Sequence, residues 1–301
     1  MIKMKNPNFF IVGAPKCGTT ALSDYLRTHP NIFMSLPKEP HFFAEEVREH
    51  FYPATTEEDY LQLFQEANQQ QNIIGEASVM YLFFEEAIKK VYQFNPQAKL
   101  VVMLRNPIDL AYSWHSQAVF NTDEHIVDFE KAWKVQDERL INKKLLKNAR
   151  MPITLQYKAM ASVGSQVAHL LKIFPRKQVH FIFMEDFKND LRKEYLRVLA
   201  FLEVNDDGRI DFPVTNQNKS LHVGYFAKLK RNSFGRNIRK IKAFLGIEKV
   251  ALSKKINQWN VVEANRVPLS NEFRNQLVEV FRPEVETLEK LLIKDLSHWK
   301  K

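Results

Sequence analysis

Short apolar runs alternate with stretches of helical periodicity along the chain as far as residue 202. The runs occupy residues 9–12, 73–78, 99–104 and 179–184. Runs of this length that end in glycine, proline or charged residues are typical of buried strands. Strands that alternate with helical stretches favour a parallel sheet. The pattern therefore predicts an α/β protein with a central, mainly parallel sheet that is flanked by helices.

The first apolar run leads into a loop that is suited to binding an anion. The chain reads FFIVGAPKCGTTALSDYL from residue 9, which is the strand, loop and helix order of a phosphate-binding loop. Gly13 and Gly18 let the backbone approach a ligand closely, and the helix from Thr19 directs the positive end of its dipole at that ligand. We call residues 13–18 the anion loop, and it predicts a sheet of the P-loop type.

The cation of this loop is unusually placed. Nucleotide triphosphatases carry a lysine directly before the first helical Ser or Thr of the G-x-x-x-x-G-K-[ST] pattern. Thr19 stands at that position here, and the lysine lies inside the loop as Lys16. The hydroxyls of Thr19 and Thr20 are then expected beside the anion.

Three titratable side chains are candidates for acid–base chemistry. The stretch PKEPHFF predicts an extended segment in which Glu39 and His41 share one side and Lys38 lies on the other. The second apolar run ends near Glu76. Ligands of an open parallel sheet lie beyond the carboxyl ends of its strands, so we expect Glu76 near the anion loop.

A second cationic group follows the apolar run at 99–104. The chain continues as Arg105, Asn106 and Pro107, in which the asparagine can cap a helix and the proline suits its first turn. Ser113 lies two helical turns beyond Asn106, so its hydroxyl returns to the side from which the helix began. We expect Arg105 and Ser113 to converge on one ligand.

These stretches resemble the sulfotransferases that use 3′-phosphoadenylyl sulfate (PAPS). PKCGTTAL is similar to their 5′-phosphosulfate loop, and LRNPIDLAYS is similar to their 3′-phosphate motif. KEPHFF and GEASVMYL are similar to two further family segments, K-E-x-H-F-F and G-E-x-S-x-x-Y-L. The resemblance covers about residues 8–202 and the C-terminal tail. It implies sulfuryl transfer from PAPS to an acceptor hydroxyl, or to an amine, by direct in-line displacement.

The resemblance also implies roles for individual residues. Glu39 is the expected general base, with His41 and Glu76 as further candidates, and Lys16 is the expected catalytic cation. Outside the stretches that carry the resemblance, Lys219 is also expected to reach the cofactor from a closing loop. The predicted cofactor contacts are Lys16, Cys17, Gly18, Thr19, Thr20, Ala21, Arg105, Ser113 and Lys219.

Composition adds one unusual segment. The chain has 301 residues and 45% hydrophobic content, which is enough for a sizeable core, and we expect a single sulfotransferase domain over residues 1–301. Residues 219–257, the basic segment, hold eleven Lys or Arg and one acid, Glu248, in a chain of net charge +9. We predict an acceptor-side insertion that favours an anionic acceptor or contacts a membrane surface. A solvated helix is the alternative, and no nucleic acid recognition motif accompanies the charge.

Cysteine content and hydropathy indicate the cellular compartment in which the protein is expected. Cys17 is the one cysteine of the sequence, which excludes an internal disulfide and a cysteine-rich zinc site. No metal is expected. No apolar stretch approaches the roughly 20 residues of a membrane span, and the run at residues 9–14 is too short for a signal peptide. We therefore expect a soluble, cytoplasmic protein.

Some elements are expected to have no chemical role. Thr55 and Glu58 predict a capping box, and residues 127–141 predict one helix. Glu185 and Asp186 are expected to cap the helix that starts at Asp190. The C-terminal helix, which begins at Ser270, and the tail after it are expected to be structural.

Two other functions stay open. A nucleotide kinase or triphosphatase would carry a lysine directly before Thr20 and a magnesium-binding aspartate at a later strand end. A non-catalytic polyanion-binding protein would explain the basic segment, but it gives no reason for Lys16, Glu39 and Arg105 to occur together. The motifs do not identify the acceptor, the choice between O- and N-sulfation or the oligomeric state.

Overall fold

The computed structural model describes residues 6–48, 50, 56–142, 149, 151–213, 219–221, 261–263 and 267–301. Its strands are β1 (Phe9–Gly13), β2 (Ile32–Met34), β3 (Ile73–Ala77), β4 (Lys99–Leu104), β5 (Val179–Phe183), β6 (Lys219–Leu221) and β7 (Val261–Glu263). Its helices are α1 (Thr19–Arg27), α2 (Glu45–Arg48), α3 (Glu57–Gln62), α4 (Glu85–Phe94), α5 (Pro107–Phe120), α6 (Phe129–Lys134), α7 (Gln136–Ile141), α8 (Tyr157–Ala161), α9 (Val163–Ile173), α10 (Met184–Asn189), α11 (Leu191–Leu202) and α12 (Asn271–Leu292). Short 3₁₀ turns cover Pro152–Leu155, Arg176–Gln178 and Ser297–Lys300.

Five strands form one parallel sheet in the order β2-β3-β1-β4-β5. β1 pairs with β3 on one side and with β4 on the other. Every residue of β1 is buried, as is typical of a strand whose two faces are both covered by helices. The predicted α/β fold with a P-loop-type central parallel sheet is confirmed. The edge strand β2 has three residues and is not among the apolar runs that predict strands.

The chain divides into two compact units. The sheet unit consists of residues 1–114, 156–215 and 270–301, and the second unit consists of residues 115–155 and 216–269. A single domain over residues 1–301 stays a prediction. Within the described ranges, no helix has the length and apolar content that a bilayer crossing needs.

The second unit contains α6, α7 and the short antiparallel pair of β6 and β7. The single helix predicted for residues 127–141 is wrong, because Asp128 caps α6, which ends before Val135, and α7 starts directly after that residue. Glu124 and Arg139 form a buried ion pair in this unit, with 2.8 Å between a guanidinium nitrogen and a carboxylate oxygen. Residues 222–257 of the basic segment lie outside the described residues.

Two predicted caps are also wrong in detail. Thr56 caps α3 and shares a capping box with Asp59, one position beyond the predicted pair, and Thr55 lies outside the described residues. The sequence TTEED allows either register, since both threonines have an acid three residues later. Glu185 and Asp186 lie in α10, and Asp190 caps α11 by accepting a hydrogen bond from the Lys193 amide.

The C-terminal helix α12 packs closely against α9. Ser270 caps α12 by accepting a hydrogen bond from the Phe273 amide. A Cβ on Gly164 would lie 2.2 Å from the carbonyl oxygen of Glu284, so only glycine permits this approach. The Ser165 amide and hydroxyl donate to the Glu284 carboxylate at 2.7 Å each. These contacts hold α12, and with it the C-terminal tail, on the sheet unit.

Candidate active site

The sheet topology brings the predicted site residues to one edge. All five strands are parallel, so the loops that follow them leave from the same edge of the sheet. β1 lies in the centre, and the chain goes from it to β2 on one side and reaches β4 on the other. Ligands of such sheets bind at the carboxyl edge, where the strand order reverses direction. The anion loop follows β1 and lies at that point.

The anion loop has a backbone that leaves amides available to a ligand. The Ala14 amide donates to the carbonyl of Met103 at 2.7 Å, which ties the loop to β4. Lys16 and Gly18 adopt left-handed conformations, with φ of 64° and 89°. Gly18 is the N-cap of α1, and neither a side-chain cap nor an acid in the first turn is found there among the described residues. The first amides of α1 and the positive end of its dipole can therefore bind an anion.

The side chains of the anion loop divide into half-buried and buried groups. Lys16 and Thr20 are half-buried, and Thr19 is buried. The Cys17 thiol is fully buried and lies 3.4 Å from the carbonyl oxygen of Pro15. Burial raises the pKa of Cys17 to about 12, although Arg105 and Lys16 oppose this shift. The thiol is therefore protonated at neutral pH, and it is not a nucleophile in this state.

Arg105 meets the anion loop directly. Its Nη1 donates to the carbonyl oxygen of Lys16 at 3.4 Å, and its Nη2 lies 3.5 Å from the Asp109 carboxylate. Asn106 accepts a hydrogen bond from the Ile108 amide at 2.9 Å, and α5 begins at Pro107 as predicted. The structure thus brings Arg105 to the same loop as Lys16.

The other predicted cofactor contacts are less closely defined. Ser113 lies on α5 and is 2% exposed. Ala21 is half-buried in the first turn of α1. Lys219 begins β6 in the second unit, where its backbone lies opposite that of Glu263 in the antiparallel strand pair. A contact between Lys219 and a cofactor stays a prediction. Among the residues that the structure describes, no three His, Cys, Asp or Glu side chains form a group that could hold a metal ion.

The segment of residues 38–43 brings Glu39 and His41 together by a different backbone from the predicted one. Both residues are left-handed, with φ of 65° and 50°, so the expectation of an extended segment with alternating faces is wrong. Glu39 Oε2 lies 3.6 Å from Nε2 of His41. Lys38, expected on the opposite side, donates from Nζ to Oε1 of the same carboxylate. Three titratable groups therefore meet at Glu39.

These contacts set the charge of Glu39. Its partial burial would raise its pKa, but the contacts with His41 and Lys38 outweigh burial and lower the pKa to about 2. The side chain is 30% exposed, so a ligand can still reach it. Burial lowers the pKa of His41, although the Glu39 carboxylate opposes that shift. Glu39 is therefore ionised at neutral pH.

Glu76 is the centre of a buried hydrogen-bond network. Its Oε1 accepts hydrogen bonds from the hydroxyls of Tyr60 at 3.0 Å and Tyr81 at 2.7 Å. Its Oε2 accepts one from the Ser78 hydroxyl at 2.5 Å. The residue is 1% exposed, and burial raises its pKa to about 7 although the three hydrogen bonds oppose this shift.

The same network holds the 38–43 segment. The Ser78 hydroxyl accepts a hydrogen bond from the His41 amide at 3.0 Å, and the Tyr81 hydroxyl accepts one from the Phe43 amide at 3.3 Å. The Tyr60 ring stacks on the Phe42 ring with centroids 4.4 Å apart. The side chains of Ser78, Tyr60 and Tyr81 thus connect the Glu76 carboxylate to the consecutive residues 41–43.

The hydrogen bond from Tyr60 to Glu76 is not predicted by the sequence. The G-E-x-S-x-x-Y spacing pointed to Ser78 and Tyr81, because both lie within five residues of Glu76. Tyr60 comes from α3, a helix for which the sequence predicts only a capping box and no chemical role. No local pattern links it to Glu76, so a signal would have to come from the fold.

Comparison with known proteins identifies the family. A family model described as the sulfotransferase domain matches residues 6–219. Mouse carbohydrate sulfotransferase 15 is 28% identical over 252 residues, which cover 66% of this chain and 44% of that protein. The bifunctional heparan sulfate N-deacetylase/N-sulfotransferase 1 of Caenorhabditis briggsae is 29% identical over 210 residues, 66% of this chain and 22% of that protein. The chain spans less than half the length of these two relatives.

A solved structure supports the same assignment over the whole chain. The crystal structure of a sulfotransferase from Alicyclobacillus acidocaldarius matches with a TM-score of 0.71 and 27% identity, and the match covers 99% of this chain and 100% of that one. The family model covers well over half of the sequence. The chain therefore belongs to the sulfotransferase family.

Proposed function

We propose that this protein transfers a sulfuryl group from PAPS to a hydroxyl group of a carbohydrate acceptor. One observation carries the proposal: Arg105 donates a hydrogen bond to the backbone of Lys16, in the loop that leads to the N-terminus of α1, where the described residues provide no side-chain cap. Amides and cations in this arrangement stabilise a negatively charged group. PAPS carries an activated sulfuryl group and, at a separate position, a 3′-phosphate. Lys16 would bind the first of these groups and Arg105 the second.

The residues of the anion loop fit the 5′-phosphosulfate end of such a molecule. Lys16 and the hydroxyls of Thr19 and Thr20 would hold it, together with the amides of residues 17–21. Arg105 and Ser113 would hold the 3′-phosphate. A sulfuryl group carries less charge than a γ-phosphoryl group, so one lysine, two hydroxyls and a row of amides can stabilise its transfer without magnesium.

Glu39 is the proposed general base. It is ionised and partly exposed, so it can accept the proton of an acceptor hydroxyl as the oxygen attacks. Lys38 and His41 hold its carboxylate in one position, which orients that proton transfer. His41 and Glu76 are the next candidates, but both are buried. The protonated Cys17 thiol favours direct in-line transfer over a covalent intermediate.

The acceptor class rests on the relatives. Carbohydrate and heparan sulfate appear in the names of the two relatives above, and we propose a carbohydrate acceptor for this chain as well. The basic segment of residues 219–257 favours an anionic carbohydrate, or an anionic membrane surface that presents the acceptor. The acceptor KM should then rise steeply with ionic strength, and the KM for PAPS should change less. Cytoplasmic localisation is part of the same proposal.

Thermal stabilisation by nucleotides tests the cofactor. The product nucleotide 3′,5′-ADP in EDTA should stabilise the protein by about 2.7 kcal/mol at a ligand concentration about 100 times Kd. 5′-AMP, which lacks the second phosphate, is the matched control and should stabilise it much less. Stabilisation by ATP with magnesium, and none by 3′,5′-ADP, would overturn the proposal in favour of a kinase or triphosphatase.

A further inference from the structure

The C-terminal tail, residues 294–300, makes specific contacts at the carboxyl edge of the sheet. Trp299 is 4% exposed, and its indole Nε1 donates to Oε1 of Glu185 at 3.0 Å. Nε2 of His298 lies 3.2 Å from the same oxygen. The carbonyl oxygen of Trp299 accepts a hydrogen bond from Nδ2 of Asn106 at 3.5 Å. One tail residue therefore connects the first turn of α10 to the residue that follows Arg105.

α10 packs against the anion loop. A Cβ on Gly18 would lie 3.2 Å from Sδ of Met184 and 3.6 Å from Cδ1 of Phe187, and both of these residues belong to α10. The Glu185 carboxylate is close enough to the loop to add to the raised pKa of Cys17, which is due first to burial. A negative charge therefore lies within electrostatic reach of a loop that is built to bind an anion.

The position of the Glu185 carboxylate affects how well the loop can bind an anion. A carboxylate that approached a bound phosphosulfate would oppose binding, because like charges repel strongly where water is partly excluded. The indole N–H of Trp299 has no charge of its own, but its hydrogen bond, beside the contact from His298, holds the carboxylate at the tail. The neighbouring Asp186 is similarly held by Lys294, at 2.9 Å. The tail thus engages both acids of α10.

We propose that Trp299 is a positioning residue for the nucleotide site: its indole N–H holds the Glu185 carboxylate at the tail and so keeps that charge from the anion loop. The inference rests on the proposed function, since it concerns the same nucleotide. A tail with a purely structural role would stabilise the fold without a specific effect on anion affinity. The two roles therefore differ in a measurable quantity.

Binding of 3′,5′-ADP to the full-length protein separates these roles. Trp299→Phe keeps a smaller aromatic ring and removes the N–H donor, and it should raise the Kd about tenfold, the scale of one lost hydrogen bond to a charged group. The added substitution Glu185→Gln should restore the Kd to within about twofold of wild type, because a neutral amide does not repel the anion. The effect of Trp299→Phe should also shrink at high ionic strength.

Two further variants complete the test. Lys300→Met breaks the ion pair of the tail with Glu289 without touching Glu185, and it should leave the Kd unchanged. Glu185→Gln alone should tighten binding about twofold, and weaker binding would count against the proposal. An unchanged Kd in Trp299→Phe, or no recovery in the double variant, overturns the inference. If the wild type itself does not bind 3′,5′-ADP, the proposed function fails first.

Discussion

The two sides of the candidate site are held in place by different means. The anion loop is fixed by its own backbone, through left-handed residues, a bond to β4 and the start of α1. The 38–43 segment is fixed by side chains from other elements, through Tyr60, Ser78 and Tyr81 around Glu76. The proposed cofactor side therefore depends on a contiguous motif, whereas the proposed acceptor side depends on a dispersed network.

The two sides also differ in charge. At the anion loop two cations, Lys16 and Arg105, accompany a protonated thiol. At the 38–43 segment an ionised carboxylate on Glu39 lies near the buried carboxyl group of Glu76, whose pKa is about 7. The anion loop is thus suited to binding an anionic sulfuryl donor, and the 38–43 segment is suited to accepting the proton that leaves the acceptor. Substitutions should separate these functions.

The largest effect is expected from Glu39→Gln. Loss of the base should lower kcat about a thousandfold, while the Kd for 3′,5′-ADP stays at the wild-type value because the anion loop is untouched. His41→Ala is the comparison variant and should lose less activity. A greater loss in His41→Ala, with a shifted pH profile, would assign the base to His41.

The pH profile distinguishes Glu39 from Glu76 as the base. A base must be deprotonated to act, and Glu39, with a pKa of about 2, is ionised throughout the neutral and mildly acidic range. kcat/KM should therefore stay level down to about pH 5. If Glu76 were the base, its pKa of about 7 would make the rate fall about tenfold per pH unit below that value.

Lys16→Ala tests the anion loop. It should lower kcat by about a hundredfold to a thousandfold, the scale of one lost transition-state donor, with a smaller effect on the Kd for 3′,5′-ADP. Lys290→Ala, on the exposed side of α12, is the matched control and should leave kcat unchanged. Wild-type turnover in Lys16→Ala would remove this role.

Arg105→Ala tests recognition of the 3′-phosphate. The preference for PAPS over adenylyl sulfate, which lacks that phosphate, should fall about tenfold to a hundredfold, the range of a charge-assisted hydrogen bond. Arg105→Lys keeps the charge and should retain part of the preference. A preference that survives in Arg105→Ala would show that another group reads the phosphate.

The Glu76 network should give a smaller effect that is not additive. Glu76→Gln and Tyr81→Phe should each lower kcat about tenfold without changing the Kd for 3′,5′-ADP, because they loosen the 38–43 segment and not the anion loop. The double variant should be little worse than the worse single variant. Tyr25→Phe removes a half-buried hydroxyl that donates to the carbonyl oxygen of Pro213 and is the control. Additive losses would mean that the two residues act separately.

The sequence predicts the contiguous side of this site well. Four of the five sheet strands, the anion loop and the start of α5 at Pro107 follow from local signals of apolar runs, glycines and proline. The backbone at Glu39 and His41 does not follow, since a residue before Pro40 is expected to be extended. Contacts from distant residues, among them a bond from the Glu39 amide to the Ala77 carbonyl at 3.1 Å, override that local preference.

The proposed reaction is transfer of a sulfuryl group from PAPS to a carbohydrate hydroxyl. The most direct measurement is transfer of label from sulfur-labelled PAPS to desulfated and partly sulfated polysaccharides in EDTA, with wild type, Lys16→Ala and Glu39→Gln compared. We expect a labelled polysaccharide with wild type and almost none with either variant. Label that stays in PAPS with every polysaccharide, or transfer by Glu39→Gln at the wild-type rate, would contradict this expectation.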